Sequence, residues 1–186
     1  MNQPRKPPGE VRLIGGLWKR SKLPVADQPG LRPTPDRVRE TLFNWLGQDL
    51  TGWRVLDAFA GSGALGLEAA SRGAAEVLLL ERDAKLAQSL QATALRLAAT
   101  GVTVRATDAI AWMAQCAPER FELVLLDPPF DSPLHAPALA RAPRLVVPGG
   151  FLYLEAGAAT EPPEDLEPFR HLRAGQVHAH LWRRPA

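Results

Sequence analysis

The chain has 186 residues, 46% hydrophobic and 23% charged. That is enough for one good core and too few for two ordinary domains, and it excludes disorder along the whole length. No apolar run approaches a membrane span, and Met1-Asn2-Gln3-Pro4-Arg5-Lys6 leads into no apolar h-region, so a secretory or membrane protein is not expected. The single cysteine, Cys116, excludes an internal disulfide and a thiolate zinc cluster and fits a cytoplasmic home. The net charge of +2 is unevenly spread: residues 1–40 carry nine Lys/Arg against four Asp/Glu, the remainder thirteen against sixteen. A basic arm ahead of an acidic body suits a polyanionic partner, with a solubilising tail as the alternative.

In chain order, residues 1–10 contain three prolines and read as a disordered tail. Residues 11–33 read as a basic β-rich arm. Short strands flank Gly15-Gly16, with Arg12, Lys19, Arg20 and Lys22 on the exposed side, and Gln28-Pro29-Gly30 forms a turn. Truncation at Lys22 is expected to leave a folded, cofactor-binding protein. A single domain then fills 34–186. Thr34 is expected to cap a helix that has Pro35 at its first position. Val38, Leu42, Trp45 and Leu46 form its apolar stripe, Arg37, Arg39 and Glu40 lie off it, and Gly47 or Gly52 ends it.

From Trp53 onward, strand, turn and helix alternate. Strands are expected at Val55–Phe59, Val77–Glu81, Val102–Val104, Phe121–Asp127 and, after Pro148-Gly149-Gly150, Phe151–Glu155. Helices follow Gly61–Gly66 and Asp83. Near-continuous apolar strands separated by helices indicate a parallel sheet covered on both faces. Alternation from Arg170 to Arg184 around Ala174-Gly175 closes the chain with a hairpin.

Gly61-Ser62-Gly63-Ala64-Leu65-Gly66 matches G-x-G-x-x-G between a strand and a helix, and Glu81 ends the next strand 20 residues after Gly61. This spacing fits a dinucleotide, and equally S-adenosylmethionine, which has a ribose but no pyrophosphate. Two carboxylates favour the second ligand. Asp57 at the end of the first strand is poorly placed for a pyrophosphate but suits an amine-bearing ligand, directly or by orienting the loop. Asp108, at the end of the third strand, can accept from an adenine amino group. Each alone reads as a strand terminator or helix cap. Together they mark the carboxyl edge of the sheet, where ligands of such folds bind.

Asp127-Pro128-Pro129-Phe130 follows the fourth strand. Its prolines stiffen the backbone and remove two donors, which leaves the Asp127 carboxylate and the Pro128 carbonyl as acceptors beside an aromatic face. That rim suits a planar ring with an exocyclic amine: the amine donates to the acceptors while the ring stacks on Phe130, and its lone pair becomes nucleophilic.

Asp57-Ala58-Phe59-Ala60-Gly61-Ser62-Gly63 together with Asp127-Pro128-Pro129-Phe130 resembles the Class I S-adenosylmethionine-dependent amino-methyltransferases. More narrowly, Leu31–Leu46, with Ile14-Gly15-Gly16 before it and Gly63–Ala69 after it, resembles the RsmD family, which methylates the exocyclic N2 of one guanine in bacterial 16S rRNA. The resemblance runs from about Val11 to Glu155. It implies a Rossmann-like α/β fold: a seven-stranded, mostly parallel sheet with an antiparallel last strand and helices on both faces. It implies that Asp57, Ala58, Phe59, Ala60, Gly61, Ser62 and Gly63 hold the methionine end of the cofactor, Glu81 the ribose and Asp108 the adenine. Arg82, Ala109 and Thr34 are also assigned to the cofactor. Asp127, Pro128, Pro129 and Phe130 are the catalytic set that receives the flipped base.

The resemblance places the Arg32–Arg39 segment near the cofactor and the RNA, and because the body is net negative the attraction is expected to come from Arg12, Lys19, Arg20, Lys22, Arg32, Arg37 and Arg39, toward naked 16S rRNA or an assembling small subunit, with a monomer as the default. The chain departs from the family at Ser21, where a second glycine is usual, and in the short proline-rich stretch after Phe130. His178 and His180 face one side of a strand but show no third ligand, so no metal is expected. Cys116 reads as an inert buried thiol, and Trp18 either packs under the arm or meets nucleic acid. A DNA or RNA amino-methyltransferase acting on adenine or cytosine, a nicotinamide oxidoreductase and a non-catalytic RNA-binding module are the competing functions. The Asp127 turn disfavours the last two, and the lack of room for a target-recognition domain disfavours a DNA enzyme.

Overall fold

A computed structural model describes residues 10–26 and 34–186. Among the described residues nine strands and five α-helices follow one another: β1 (Glu10–Arg12), β2 (Lys22–Pro24), α1 (Asp36–Trp45), β3 (Arg54–Asp57), α2 (Ala64–Ser71), β4 (Glu76–Glu81), α3 (Ala84–Arg96), β5 (Val102–Ala106), α4 (Ala109–Gln115), β6 (Phe121–Leu126), α5 (His135–Arg141), β7 (Val146–Ala156), β8 (Glu167–Ala174) and β9 (Val177–Arg183). The tail expected over residues 1–10 lies outside the described residues except for Glu10, which is already in β1. The turn expected at Gln28-Pro29-Gly30 and residue Arg32 also lie outside them.

The main sheet has seven strands in the order β5-β4-β3-β6-β7-β9-β8. The first five are mutually parallel, and β9 runs antiparallel to both its neighbours. Apolar side chains on alternate residues feed two cores. Val55, Leu79, Leu123, Leu125 and Tyr153 face α1, α2 and α3. Leu56, Leu80, Val124, Leu126, Leu154 and Trp182 face α4 and α5. Burial on both faces is why these strands carry continuous apolar runs. The outer strand β8 is instead studded with Arg170, His171 and Arg173, a charged edge that discourages pairing with another chain.

Expected and observed boundaries agree closely, with two corrections. The strand expected to begin after Pro148-Gly149-Gly150 starts at Val146, which pairs with Phe121 across a register shift. The glycines remain in the sheet because Gly149 N donates to the Arg184 carbonyl and Arg184 N to the Gly150 carbonyl, both at 2.9 Å. Thr34 does not cap α1: Pro35 occupies that position with no side-chain bond, and the Thr34 hydroxyl is used elsewhere.

The N-terminal ribbon is part of the core. Val11, Leu13, Leu23 and Val25 are buried in the same cluster as α1 and α2. Glu68 on α2, fully buried, accepts from Ile14 N at 2.9 Å and Gly15 N at 2.8 Å, and from Arg72 Nε at 2.9 Å. Gly16 has φ +75°, and a Cβ there would stand 1.8 Å from the Ser71 carbonyl oxygen, so the ribbon docks only because this residue has no side chain. Trp18 packs against the same core, with its N–H on Ser71 Oγ.

Arg39 corrects a further expectation. It is fully buried, bonded to Asp36, to the Arg12 carbonyl at 3.1 Å and to Glu68 at 3.4 Å. It lies off the apolar stripe because it faces the ribbon and not solvent, and it is closed to RNA.

Candidate active site

The chain builds β3, β4 and β5 outward in one direction, then crosses back to place β6 on the other side of β3. Ligands in such sheets bind at this switch point, outside the carboxyl ends of the strands. Asp57 ends β3, Glu81 ends β4, Asp127 follows β6 and Glu155 lies near the end of β7, so four carboxylates gather at one edge.

Asp57 is almost wholly buried. Its Oδ2 accepts from Gly66 N at 2.9 Å, and its Oδ1 has no hydrogen-bond partner. Gly66 is required for this approach: a Cβ there would come within 2.2 Å of Leu79 Cδ2 and 3.0 Å of Asp57 Oδ2. Asp57 therefore orients the glycine loop with one oxygen and leaves the other free. Burial, with Glu81 and Glu155 nearby, raises its pKa to about 7.

The loop turns through Ala60 and Gly63, and Gly63, in the left-handed conformation, starts α2. Ala58 and Ala60 are buried, and Phe59, Gly61 and Ser62 are half-buried. Glu81 accepts from Gly61 N and from Asp83 N, both at 2.9 Å, and so ties β4 to the loop. Arg82 is exposed beside it, Asp108 is exposed and caps α4 through Ala111 N at 2.8 Å, and Ala109 is buried at the start of that helix.

Thr34 Oγ1 stands 3.2 Å from Asp127 Oδ2 and 2.8 Å from Glu155 Oε1, and Tyr153 Oη donates to the same Glu155 oxygen at 2.9 Å. A hydroxyl has one hydrogen. For both Thr34 contacts to be hydrogen bonds, one carboxyl must carry a proton. Burial pushes both acids up, and for Asp127 the Glu155 and Asp57 charges add to it. Glu155 is the site residue that the sequence reading missed. The rule that selected Asp57 and Glu81, an acid at the end of a buried strand, selects it too.

Pro128 is buried, and Pro129 and Phe130 are exposed, Phe130 by 44%. The Phe130 ring lies against Gly157, where a Cβ would meet Cζ at 2.9 Å. Behind it, His135 on α5 contacts the Glu155 carbonyl through Nε2 at 3.2 Å, which joins the segment after Phe130 to β7.

Of the expected RNA-facing residues, Arg12, Lys19, Arg20, Lys22 and Arg37 are exposed. Arg12 and Lys22 pair with Glu10 at 3.1 and 3.3 Å. Cys116 is buried as expected. Among the described residues no helix is long and apolar enough to cross a membrane.

A pH dependence follows from the Asp57 shift. A carboxyl whose folded pKa lies above its ordinary value stabilises the fold at low pH and loses that contribution as pH rises through the folded value. Ligand-free protein is therefore expected to have a lower urea midpoint at pH 8 than at pH 5.5, with Asp57→Asn reducing the difference. A midpoint that rises over this range and does not respond to the substitution would contradict the assignment.

Comparison with known proteins places this geometry. The model of the family described as conserved hypothetical protein 95 matches residues 11–183. Ribosomal RNA small subunit methyltransferase D of Escherichia coli strain K12 is 42% identical, over 96% of this chain and 92% of the relative. The solved structure of the putative methyltransferase yhhF from Escherichia coli superposes with a TM-score of 0.85 at 40% identity, covering 96% of this chain and 99% of that one. A Thermus thermophilus 16S rRNA N2 G1207 methyltransferase (RsmC), solved with AdoMet and guanosine, has a TM-score of 0.68 at 22% identity over 96% of this chain and half of that one, and shares the fold.

Proposed function

On the premise that the chain belongs to the RsmD family of ribosomal RNA small subunit methyltransferases, we propose that it transfers a methyl group from S-adenosylmethionine to the exocyclic N2 of a guanine in small-subunit rRNA. The observation that carries this reading is the Thr34–Asp127–Glu155 cluster beside Phe130, one strand from the glycine loop.

The site fits the cofactor. The buried, unpartnered Oδ1 of Asp57 calls for a donor, and the cofactor's amino group is one. The Gly61 side of the loop is open, with nothing within 4 Å of where a Cβ would stand. Glu81 and Asp108 then serve the ribose and the adenine. The bound cofactor supplies an electrophilic methyl group on a cationic sulfur, and the carboxylate edge favours that positive charge.

The chain's own residues prepare the nucleophile. The base must be turned out of the RNA to reach the site. Its ring stacks on Phe130, and its amine donates to Asp127 and to the Pro128 carbonyl. Glu155 carries the cluster's proton and donates it toward Thr34 Oγ1, and Thr34 donates to Asp127, which stays ionised and accepts from the amine. Once methylated, the amine nitrogen would carry an acidic proton, and Asp127 is the group placed to receive it. Incubation with methyl-tritiated cofactor tests the reading: label should enter small-subunit rRNA, and its failure to do so would overturn the proposal.

RNA attraction falls to the exposed cations of the ribbon and to Arg37. Phosphate contacts weaken with salt as counterions are released. Because the ribbon is built into the core, charge removal is tested by substitution and not by truncation. Replacing Arg12, Lys19, Arg20 and Lys22 with Gln is expected to leave the fold intact and weaken RNA binding, with the log–log salt slope shallower by about 3–4 units. An unchanged affinity and slope would move the RNA surface elsewhere.

A further inference from the structure

The β8–β9 hairpin gathers three of the chain's four histidines. His178 and His180 are two residues apart on β9 and share a face. His171 on β8 pairs directly opposite His180 and so joins them. The candidate ligand nitrogens of the three rings all lie within 4.8 Å of one another, and His171 Nε2 is 3.0 Å from His178 Nδ1. The rings stack, His171 lying 4.6 Å from His180 and 5.2 Å from His178 between centroids. His180 is 5% exposed, His178 is half-buried and His171 faces solvent.

We propose that His171, His178 and His180 form a binding site for a borderline divalent transition-metal ion, Zn²⁺ foremost, with solvent completing the shell on the open side of His171. Two imidazoles alternating on one strand and a third from its neighbour supply the three-histidine donor set that zinc uses with a water. Zn–N bonds of about 2.0–2.1 Å put tetrahedral ligand nitrogens about 3.3 Å apart. The His171–His178 pair, at 3.0 Å, is already near that spacing.

The His180 lone pair that now accepts from Thr160 N–H at 3.2 Å is the one offered to the ion. Binding breaks the His171–His178 hydrogen bond, and the ring that donated it moves its proton to its other nitrogen, so that both imidazoles ligate in the neutral form.

The test uses the full chain without a polyhistidine tag, stripped with chelator and titrated with Zn²⁺ by calorimetry and with Co²⁺ by visible absorption. One ion per chain is expected, with the strong visible bands of four-coordinate Co²⁺. His171→Gln at an exposed position and His178→Gln at a half-buried one should each weaken affinity at least about tenfold while leaving circular dichroism and S-adenosylmethionine binding unchanged. Zn²⁺ should raise the melting temperature of the native chain and not of the double variant. Stoichiometric binding that survives both substitutions, or a native chain that binds no more tightly than the double variant, would overturn the site.

Discussion

Asp127→Ala is expected to leave S-adenosylmethionine affinity nearly intact and to lower kcat by about 10²–10³-fold. The prediction follows from where the carboxylate stands. It is off the glycine loop, whose backbone is organised by Asp57 and Glu81, so cofactor binding has little reason to change. It is held by Thr34 and stands three residues before Phe130 in the same turn, where the proposal seats the base amine, so the transition state loses its principal acceptor. Asp127→Asn keeps a carbonyl acceptor but no charge and should fall between the two. Steady-state kinetics separate the effects: a loss confined to KM would assign Asp127 to binding alone, and a fully active alanine variant would remove the acceptor rim as the catalytic device.

The second large effect is structural. Glu68→Ala is expected to lower unfolding free energy by about 3–5 kcal/mol, because it leaves the buried Arg39 guanidinium without its buried counter-charge. It also strips the acceptor from the Ile14 and Gly15 N–H groups and from Arg72. Truncation at Lys22 should be at least as damaging, since it removes Val11 and Leu13 from the core as well. This reverses the expectation drawn from composition, in which a basic N-terminus reads as detachable. Urea denaturation followed by circular dichroism measures both. An unchanged midpoint in Glu68→Ala would show that the ribbon and α2 do not depend on each other.

The contrast between Asp57 and Arg39 shows what is legible in such a sequence. Asp57, the glycine loop and Asp127 could be read because a strand that ends in an acid or a glycine turn is a local pattern, and a parallel sheet brings successive strand ends to one edge. Arg39 was misread because the helical wheel of α1 shows only which residues lie off the apolar stripe. That the off-stripe face is covered by a ribbon from 27 residues upstream, whose Arg12 carbonyl receives the guanidinium, is long-range information. Thr34 failed in the same way: its hydroxyl could cap the local helix, but two carboxylates, 93 and 121 residues away, hold it instead. His171 was invisible as a third imidazole until the β8–β9 register set it opposite His180. Glu155 alone was within reach of the rules applied to its neighbours.

Nucleoside analysis of the methylated RNA is the measurement that bears most directly on the account. Small-subunit rRNA treated with the native chain and labelled S-adenosylmethionine, digested and resolved by mass spectrometry, should carry the label in N2-methylguanosine, and the Asp127→Ala variant should yield little of it. Label in N6-methyladenosine or N4-methylcytidine, or equal label from the variant, would contradict the assignment of Asp127-Pro128-Pro129-Phe130 as the seat of guanine N2 methylation.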